Sequence, residues 1–465
     1  MLLRRLGIVL FACGLSLAAA PPRTLRLDYI HAGSATGEHF FLDGVVLEGA
    51  WPGPPDRLID TTNLGGYLAE VADAKTGQLL YSRGFASIFA EWEQTDEAKS
   101  VQRAFHESVR FPAPAGPVRV VLKRRDPAAG WRQVWSVAVN PADPAIDRSP
   151  PPAGYKPWAV VRNGEPADKV DVLLLGDGYT PAQMDKWHQD ARRMAGLLLA
   201  ASPFKERRSD FNVWAIDTPA GQSGISRPSD GVYRRSPLGA SYDAFGSERY
   251  ILAMDNKRLR AVAAAAPYEF LIIIANDRKY GGGGIFNLQS AVAADNAFAP
   301  YVLVHEFGHQ LAGLADEYYT SDVAYDSSPA RPEPWEPNVT ADPKASKWAD
   351  LMAPSIPLPT PWAKEEFERR QQEYQQRRAQ IRARKRPEQE MEALFRSELD
   401  WTTKLLGSDA YSGKVGAFEG ANYEARGYFR PQQDCIMFTR DEVGFCAVCR
   451  RAIEKVIGLY AGAAR

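Results

Sequence analysis

The sequence predicts two folded units, an all-β sandwich followed by a larger α/β (α+β) layer domain. Three observations carry this expectation. Short segments of alternating polarity run from about Arg23 to Val139, separated by Gly, Pro, Asp and Asn, without helical periodicity between them. A Pro-rich stretch follows from Asn140 to Pro157 and includes Pro150-Pro151-Pro152, the composition of a linker. Beyond it, apolar strands alternate with helical patterns, which calls for a layered α/β domain. The 465 residues suffice for this at ~150 residues per domain.

In chain order, Arg4 and Arg5 precede an apolar run from Leu6 to about Leu17 and then Ala18-Ala19-Ala20. Basic start, short apolar stretch and small-residue end are the order of a secretory signal, too short for the ~20 apolar residues of a membrane span. Cleavage after Ala18 or Ala19 avoids Pro21 directly behind the cut, and Leu10-Phe11-Ala12-Cys13 offers a lipoprotein alternative with Cys13 lipidated. The expected organisation is a signal at 1–20, a β-sandwich at 21–140, a linker at 141–160 and the larger domain at 161–465. Either signal implies export, to the periplasm or the medium, and no later segment is long and apolar enough to span a bilayer.

The strands of the sandwich are expected at Thr24–Ile30, Gly65–Val71, Leu79–Ile88, Ala104–Phe111, Val118–Lys123 and Trp131–Val139. In the first, Leu25, Leu27 and Tyr29 share one face. No chemical constellation stands out here, and His31, His39 and His106 read as packing or surface residues. In the larger domain Val170–Leu175, interrupted only by Asp171, reads as an apolar strand, with further strands at Phe211–Ile216 and Phe270–Ala275. Thr180-Pro181-Ala182-Gln183 has Thr as N-cap, Pro at the first helical position and Gln three residues after the cap, opening a helix to about Ala201. A further helix covers roughly Lys257–Ala265.

The Gly281–Gly284 run is not a phosphate loop, because Ile285-Phe286-Asn287-Leu288 follows where Lys-Ser/Thr is needed. These glycines are expected to let an edge strand turn and approach a ligand, with Asn287–Ala293 part of a sheet edge that an extended peptide joins. Ala363–Arg386 is dense in Glu, Gln, Arg and Lys, with Phe367, Tyr374 and Ile381 seven residues apart. It reads as a solvated helical excursion, part of a charged insertion at about 363–400, and a last helix is expected from Ala447 to Leu459.

Composition narrows the function. Lys plus Arg is 56 against 57 Asp plus Glu, a net charge of -1, so no global field favours nucleic acid or anionic membranes. There are six His and four Cys, so a site built on them has few positions to use. Cys435, Cys446 and Cys449 remain after the leader. A structural disulfide from Cys435 to one of the other two is expected. Cys446-Ala-Val-Cys449 as a redox motif or half a zinc knuckle lacks an evident βαβ context or second ligand pair.

The chemistry concentrates in Tyr301-Val302-Leu303-Val304-His305-Glu306-Phe307-Gly308-His309. On a helix begun near Pro300, His305 and His309 lie one turn apart on one side, so two imidazoles grip one metal. Glu306 beside them is the residue that deprotonates a metal-bound water, the H-E-x-x-H arrangement, and Zn²⁺ suits imidazole ligands. A catalytic zinc takes three protein ligands. Metzincins place a His ten residues after the first, but that position is Ala315, and His188 is remote in sequence. The candidates are carboxylates reached after Gly313: Asp316, one residue beyond the metzincin spacing, then Glu317 or a more distant group.

His305-Glu306-Phe307-Gly308-His309 followed by Gly313-Leu314-Ala315-Asp316-Glu317-Tyr318 resembles the bacterial IgA-peptidase family, family sixty-four of the metallopeptidases. Asp210–Trp214, Ser247–Tyr250, Tyr280–Gly284 and Trp335–Thr340 are similar as well, and Asp28-Tyr29 with Gly49–Gly53 resemble the β domain that precedes the catalytic domain there. Only the charged helix around Ala363–Arg386 stands outside the resemblance. It implies a zinc endopeptidase of metzincin-like architecture, with one catalytic Zn²⁺ on His305, His309 and Asp316, Glu306 as general base, and a protein or peptide substrate. Met437, in Asp434-Cys435-Ile436-Met437-Phe438, is the candidate for a methionine turn beneath the metal. Tyr318 and Tyr319 are candidates to stabilise an oxyanion. Two other functions compete: a surface adhesion protein with a vestigial metal site, and a zinc amidase acting on cell-wall peptides.

Overall fold

The computed structural model describes residues 21–127, 130–321 and 331–462. The expected leader, with Cys13, lies outside the described residues. The first strands are β1 (Arg23–Ser34), β2 (Gly37–Ala50), β3 (Tyr67–Asp73) and β4 (Leu79–Phe85). After the short helix α1 (Ile88–Trp92) come β5 (Arg103–Pro112), β6 (Val118–Asp126) and β7 (Gly130–Val139). They form two antiparallel sheets, β2-β1-β5 and β4-β3-β6-β7. Leu25, Leu27 and Tyr29 point into the layer between them, against Tyr67, Val71, Val120 and Leu122. The sequence analysis passed over β2, because Phe40-Phe41-Leu42 breaks the alternation and the register shifts opposite Asp28/Tyr29. The expected strand to Ile88 ends at Phe85, where Ser87 accepts a hydrogen bond from the Ala90 N–H and caps α1.

The other face of β1 is not solvated. Arg26 donates to both Asp28 oxygens (2.8 and 2.9 Å) and to Glu48 (2.6 Å), all buried, and Arg110 donates to Glu48 and to the Tyr268 carbonyl. This sheet is therefore covered by the second region of the chain. His31 is buried and stacked at 4.1 Å on both Phe40 and Phe89, His39 is exposed, and His106 meets Asn256.

The second region begins with β8 (Pro157–Val161), β9 (Val170–Asp177), α2 (Met184–Leu198) and β10 (Phe211–Ile216). Two-residue strands β11 (Ala240–Ser241) and β12 (Leu252–Ala253) and the helix α3 (Asn256–Ala263) follow. Then come β13 (Phe270–Ala275), β14 (Gly282–Ile285), β15 (Gln289–Ala293) and α4 (Ala299–Ala312). The main sheet has the order β14-β15-β13-β9-β10-β8, parallel in its centre with antiparallel strands at both edges. Every residue of β9 is buried, as a strand covered on both faces requires. Val172, Leu174, Ile272 and Ile274 pack on the α2 and α4 side, Leu173, Leu175, Leu271 and Ile273 on the α3 side. The Thr180–Gln183 capping box forms as expected.

Two expectations about the glycine run fail. β15 lies inside the sheet, between β13 and β14, and is no edge. At Gly282 the outer side of β14 is already bonded: its N–H reaches the Arg249 carbonyl and its carbonyl takes the Ile251 N–H, both at 3.0 Å. The glycines admit close protein neighbours, and Gly282 and Gly284 also line the cleft that His305, Glu306 and His309 share. A Cβ on Gly284 would lie 2.4 Å from the Glu306 carbonyl oxygen and 3.0 Å from His309 Cβ. One on Gly281 would lie 2.7 Å from the Arg249 carbonyl oxygen.

The chain continues through α5 (Lys364–Ala383), α6 (Glu388–Gly407), the hairpin β16 (Phe418–Ala421) and β17 (Glu424–Arg430), and α7 (Ala447–Ala461). The charged helix is not an exposed excursion. Phe367 and Tyr374 are buried, Gln371 donates to Glu398 of α6 (2.6 Å), and Phe395 of α6 stacks on Tyr280 (4.8 Å). The stripe looked thin because Gln371 and Arg378, both buried, share it with the apolar residues. The expected disulfide is absent: Cys435, Cys446 and Cys449 are buried thiols, converging on Glu317 instead of pairing. No helix of the described residues is long and apolar enough to cross a membrane.

The close approach of β14 to α4 predicts opposite effects for two Gly→Ala changes. Gly284→Ala pushes on backbone that cannot yield and should cost about 1–3 kcal/mol of stability. Gly196→Ala, inside α2 with nothing within 4 Å, should stabilise by about 0.5–1 kcal/mol. Urea unfolding of both variants checks the pair, and equal effects would show that β14 does not press on α4.

Candidate metal centre

α4 is apolar nearly all round because it is buried nearly all round, with Val302, Leu303, Phe307 and Leu311 in the core. Pro300 sits in its first turn, and Gly313 ends it in the left-handed conformation (φ 58°), its N–H returning to the His309 carbonyl. A side chain at Gly313 would also strike Trp335, at 2.5 Å. The reversal there sends residues 314–318 back along the helix.

His305 and His309 project from successive turns and bring their Nε2 atoms to 3.1 Å. Each ring is oriented from behind: His305 Nδ1 meets the Ile436 carbonyl at 2.9 Å, and His309 Nδ1 the Leu314 carbonyl at 2.5 Å. With Nδ1 donating, each neutral ring directs an Nε2 lone pair forward. Asp316 returns to the same point, its Oδ1 2.9 Å from His305 Nε2 and 3.3 Å from His309 Nε2. That oxygen is buried and receives no hydrogen bond from any described residue, while Tyr423 donates to Oδ2. Three ligand-type atoms converge on one point, and two imidazoles with a carboxylate fit Zn²⁺.

The titration behaviour points the same way. Burial alone would lower His309, but the Asp316 and Glu306 carboxylates outweigh it and lift it to about 9. Burial raises Glu306 above the ordinary carboxyl range, against the pull of the two imidazoles. His305, Glu306 and His309 offer ligand-type atoms within 4.8 Å of one another, and Glu306 lines a cleft of about 640 Å³ with both histidines and Asp316.

Asp316 reaches the pair and Glu317 turns away, toward the three cysteines. Tyr318 lines the cleft, its ring stacked on His305 at 6.4 Å, whereas Tyr319 is buried between Phe367 and Phe438. Met437 is fully buried behind the site: its carbonyl takes the Glu317 N–H, one residue after the carbonyl that holds His305. His188 engages Asp217 and Trp158.

Three residues here escaped the sequence analysis. Tyr423 is at the β16–β17 tip, where it and Asn422 both have positive φ; their N–H groups bond the Tyr318 and Asp316 carbonyls. Arg249 donates to the Tyr318 hydroxyl at 3.1 Å. Asn338 exchanges two hydrogen bonds with Ala315 and donates to Glu317. Arg249 and Asn338 lie in short stretches that carry the family resemblance, but no spacing ties them to the histidines, and Tyr423 had no signal at all.

The cleft has a second wall from the N-terminal sheets, including Tyr67, Glu93 and Arg124, and Tyr250 is tied to Glu91 by a 2.5 Å hydrogen bond. A search of curated proteins gives no match. Two family models do match: one described as Peptidase M64 N-terminus over residues 18–136, and one described as IgA Peptidase M64 over residues 159–457. The chain, mostly β at its N-terminus and mixed α/β beyond, thus belongs to the IgA peptidase M64 family and is a peptidase.

Proposed function

We propose that the chain is a zinc-dependent endopeptidase of metzincin-like architecture, with His305, His309 and Asp316 as metal ligands and Glu306 as general base. The observation that carries this reading is the meeting of two imidazole nitrogens and a carboxylate oxygen beside a second, half-buried carboxylate in a cleft. Bound Zn²⁺ would supply Lewis acidity, activating a water and polarising the scissile carbonyl. Glu306 takes the proton of the attacking water and hands it to the leaving amine nitrogen. Its burial favours this shuttle, because a raised pKa makes the carboxylate a stronger base. Arg249 donates to the Tyr318 oxygen, leaving the Tyr318 proton for a carbonyl oxygen that gains negative charge.

The order of residues 1–20 supports export to the periplasm or the medium, with lipidation at Cys13 as the anchored alternative. The two family matches flank residues 137–158, which supports a domain boundary in the Pro-rich segment.

Glu306→Gln should lower kcat on peptide substrates about 10²–10⁴-fold with metal content unchanged. A variant as active as wild type in a peptide-library assay overturns the general-base assignment. Tyr423→Phe frees Asp316 Oδ2 and should weaken zinc binding about 10–100-fold, read by competition with a chromogenic chelator. An unaltered affinity would show that the tyrosine does not position the carboxylate.

A further inference from the structure

Behind the catalytic cleft lies a second cluster of ligand-type groups that the peptidase mechanism does not use. Glu317, Cys435, Cys446 and Cys449 are all buried, and each offers a donor atom within 4.8 Å of the others. We propose that these four residues hold a second metal ion, a structural Zn²⁺. Three thiolates and a carboxylate make a closed four-coordinate set with no position left for water, the pattern of a structural site. Cys435 and Cys449 Sγ are 3.9 Å apart, close to the roughly 3.8 Å edge of a tetrahedron with Zn–S bonds of about 2.3 Å.

A disulfide accounts for the same residues less well. Joining Cys435 to Cys449 would bring those sulfurs to about 2.05 Å and leave the Cys446 thiol over. It would also leave Glu317 Oε2 buried without a hydrogen-bond partner among the described residues. An uncompensated buried carboxylate is costly, and a cation removes the cost. The surroundings suit negative charge on these atoms. The Cys446 and Cys449 N–H groups point at Cys435 and Cys446 Sγ (3.3 and 3.4 Å), Cys446 caps the N-terminus of α7, and Asn338 donates to Glu317 Oε1. Buried Arg430 interacts with both Glu317 and Cys435 and offsets part of their charge. On loading, the three thiols release their protons to solvent and the ion takes their place.

The position gives the ion a task. Glu317 follows Asp316, and Cys435 precedes Ile436, whose carbonyl orients His305. Binding at the second site therefore ties together the two backbone segments that present a carboxylate and an imidazole to the first. The second ligand pair that Cys446-x-x-Cys449 lacks in sequence is supplied by Cys435 and a glutamate from far upstream.

Metal analysis of the reduced, full-length protein tests this. Wild type should carry two zinc ions per chain, and the His305→Ala/His309→Ala double variant one. After cobalt exchange, that remaining ion should show the intense near-ultraviolet band of thiolate-to-cobalt charge transfer. Cys449→Ser should lose the band and one ion. Should that variant fail to fold, the double histidine variant decides alone. The proposal is overturned if the histidine variant holds no metal, if its cobalt form lacks the thiolate band, or if denatured wild type yields one reactive thiol in place of three. A wild type with a single ion that survives loss of both histidines would support the cysteine site and count against the catalytic one.

Discussion

The convergence of His305 Nε2, His309 Nε2 and Asp316 Oδ1 on one point is the constraint around which the molecule is arranged. Each is held by a group from a different part of the chain: the Ile436 carbonyl, the Leu314 carbonyl and the Tyr423 hydroxyl. The fold positions these three supports. α4 supplies the histidines, the reversal at Gly313 supplies Leu314 and Asp316, and the β16–β17 tip and the turn before α7 close in from behind. Because these supports come from the fold itself, a cation would find the ligands already oriented.

The N-terminal sandwich is part of this arrangement rather than an appendage. Its outer sheet face buries Arg26, Asp28 and Glu48, and partly buried Arg110 reaches the backbone at Tyr268. Its residues also form one wall of the cleft, held in part by the Tyr250–Glu91 bond. Both halves of the chain therefore line the cleft.

The parts legible in the sequence were those set by local rules. Phe270–Ala275 emerges as a strand because so short a continuous apolar run, rich in β-branched residues, suits a doubly covered sheet. The His305–His309 pair follows from helical spacing, and the return of Asp316 from the glycine that ends the helix. What stayed hidden depends on contacts between distant segments. β2 pairs through a register shift that blurs its alternation, and α5 buries Gln371 and Arg378 against a helix whose position no periodicity reveals. The glycine run lines the cleft, but the helix and strand backbone that press on it belong to distant segments. Tyr423, Arg249 and the Glu317 partnership with the cysteines are products of the fold, with no signature within reach of their own neighbours in the chain.

The glycines of β14 have a consequence for the geometry of catalysis. Without side chains between them, strand and helix approach until the peptide planes themselves touch, near Gly284 and the Glu306 carbonyl. The gap between sheet edge and helix is thus the least that two polypeptide backbones allow, fixed by hard atomic contact rather than by the size or rotamer of any side chain. Where His305, Glu306 and His309 stand relative to the sheet is therefore set by backbone contact.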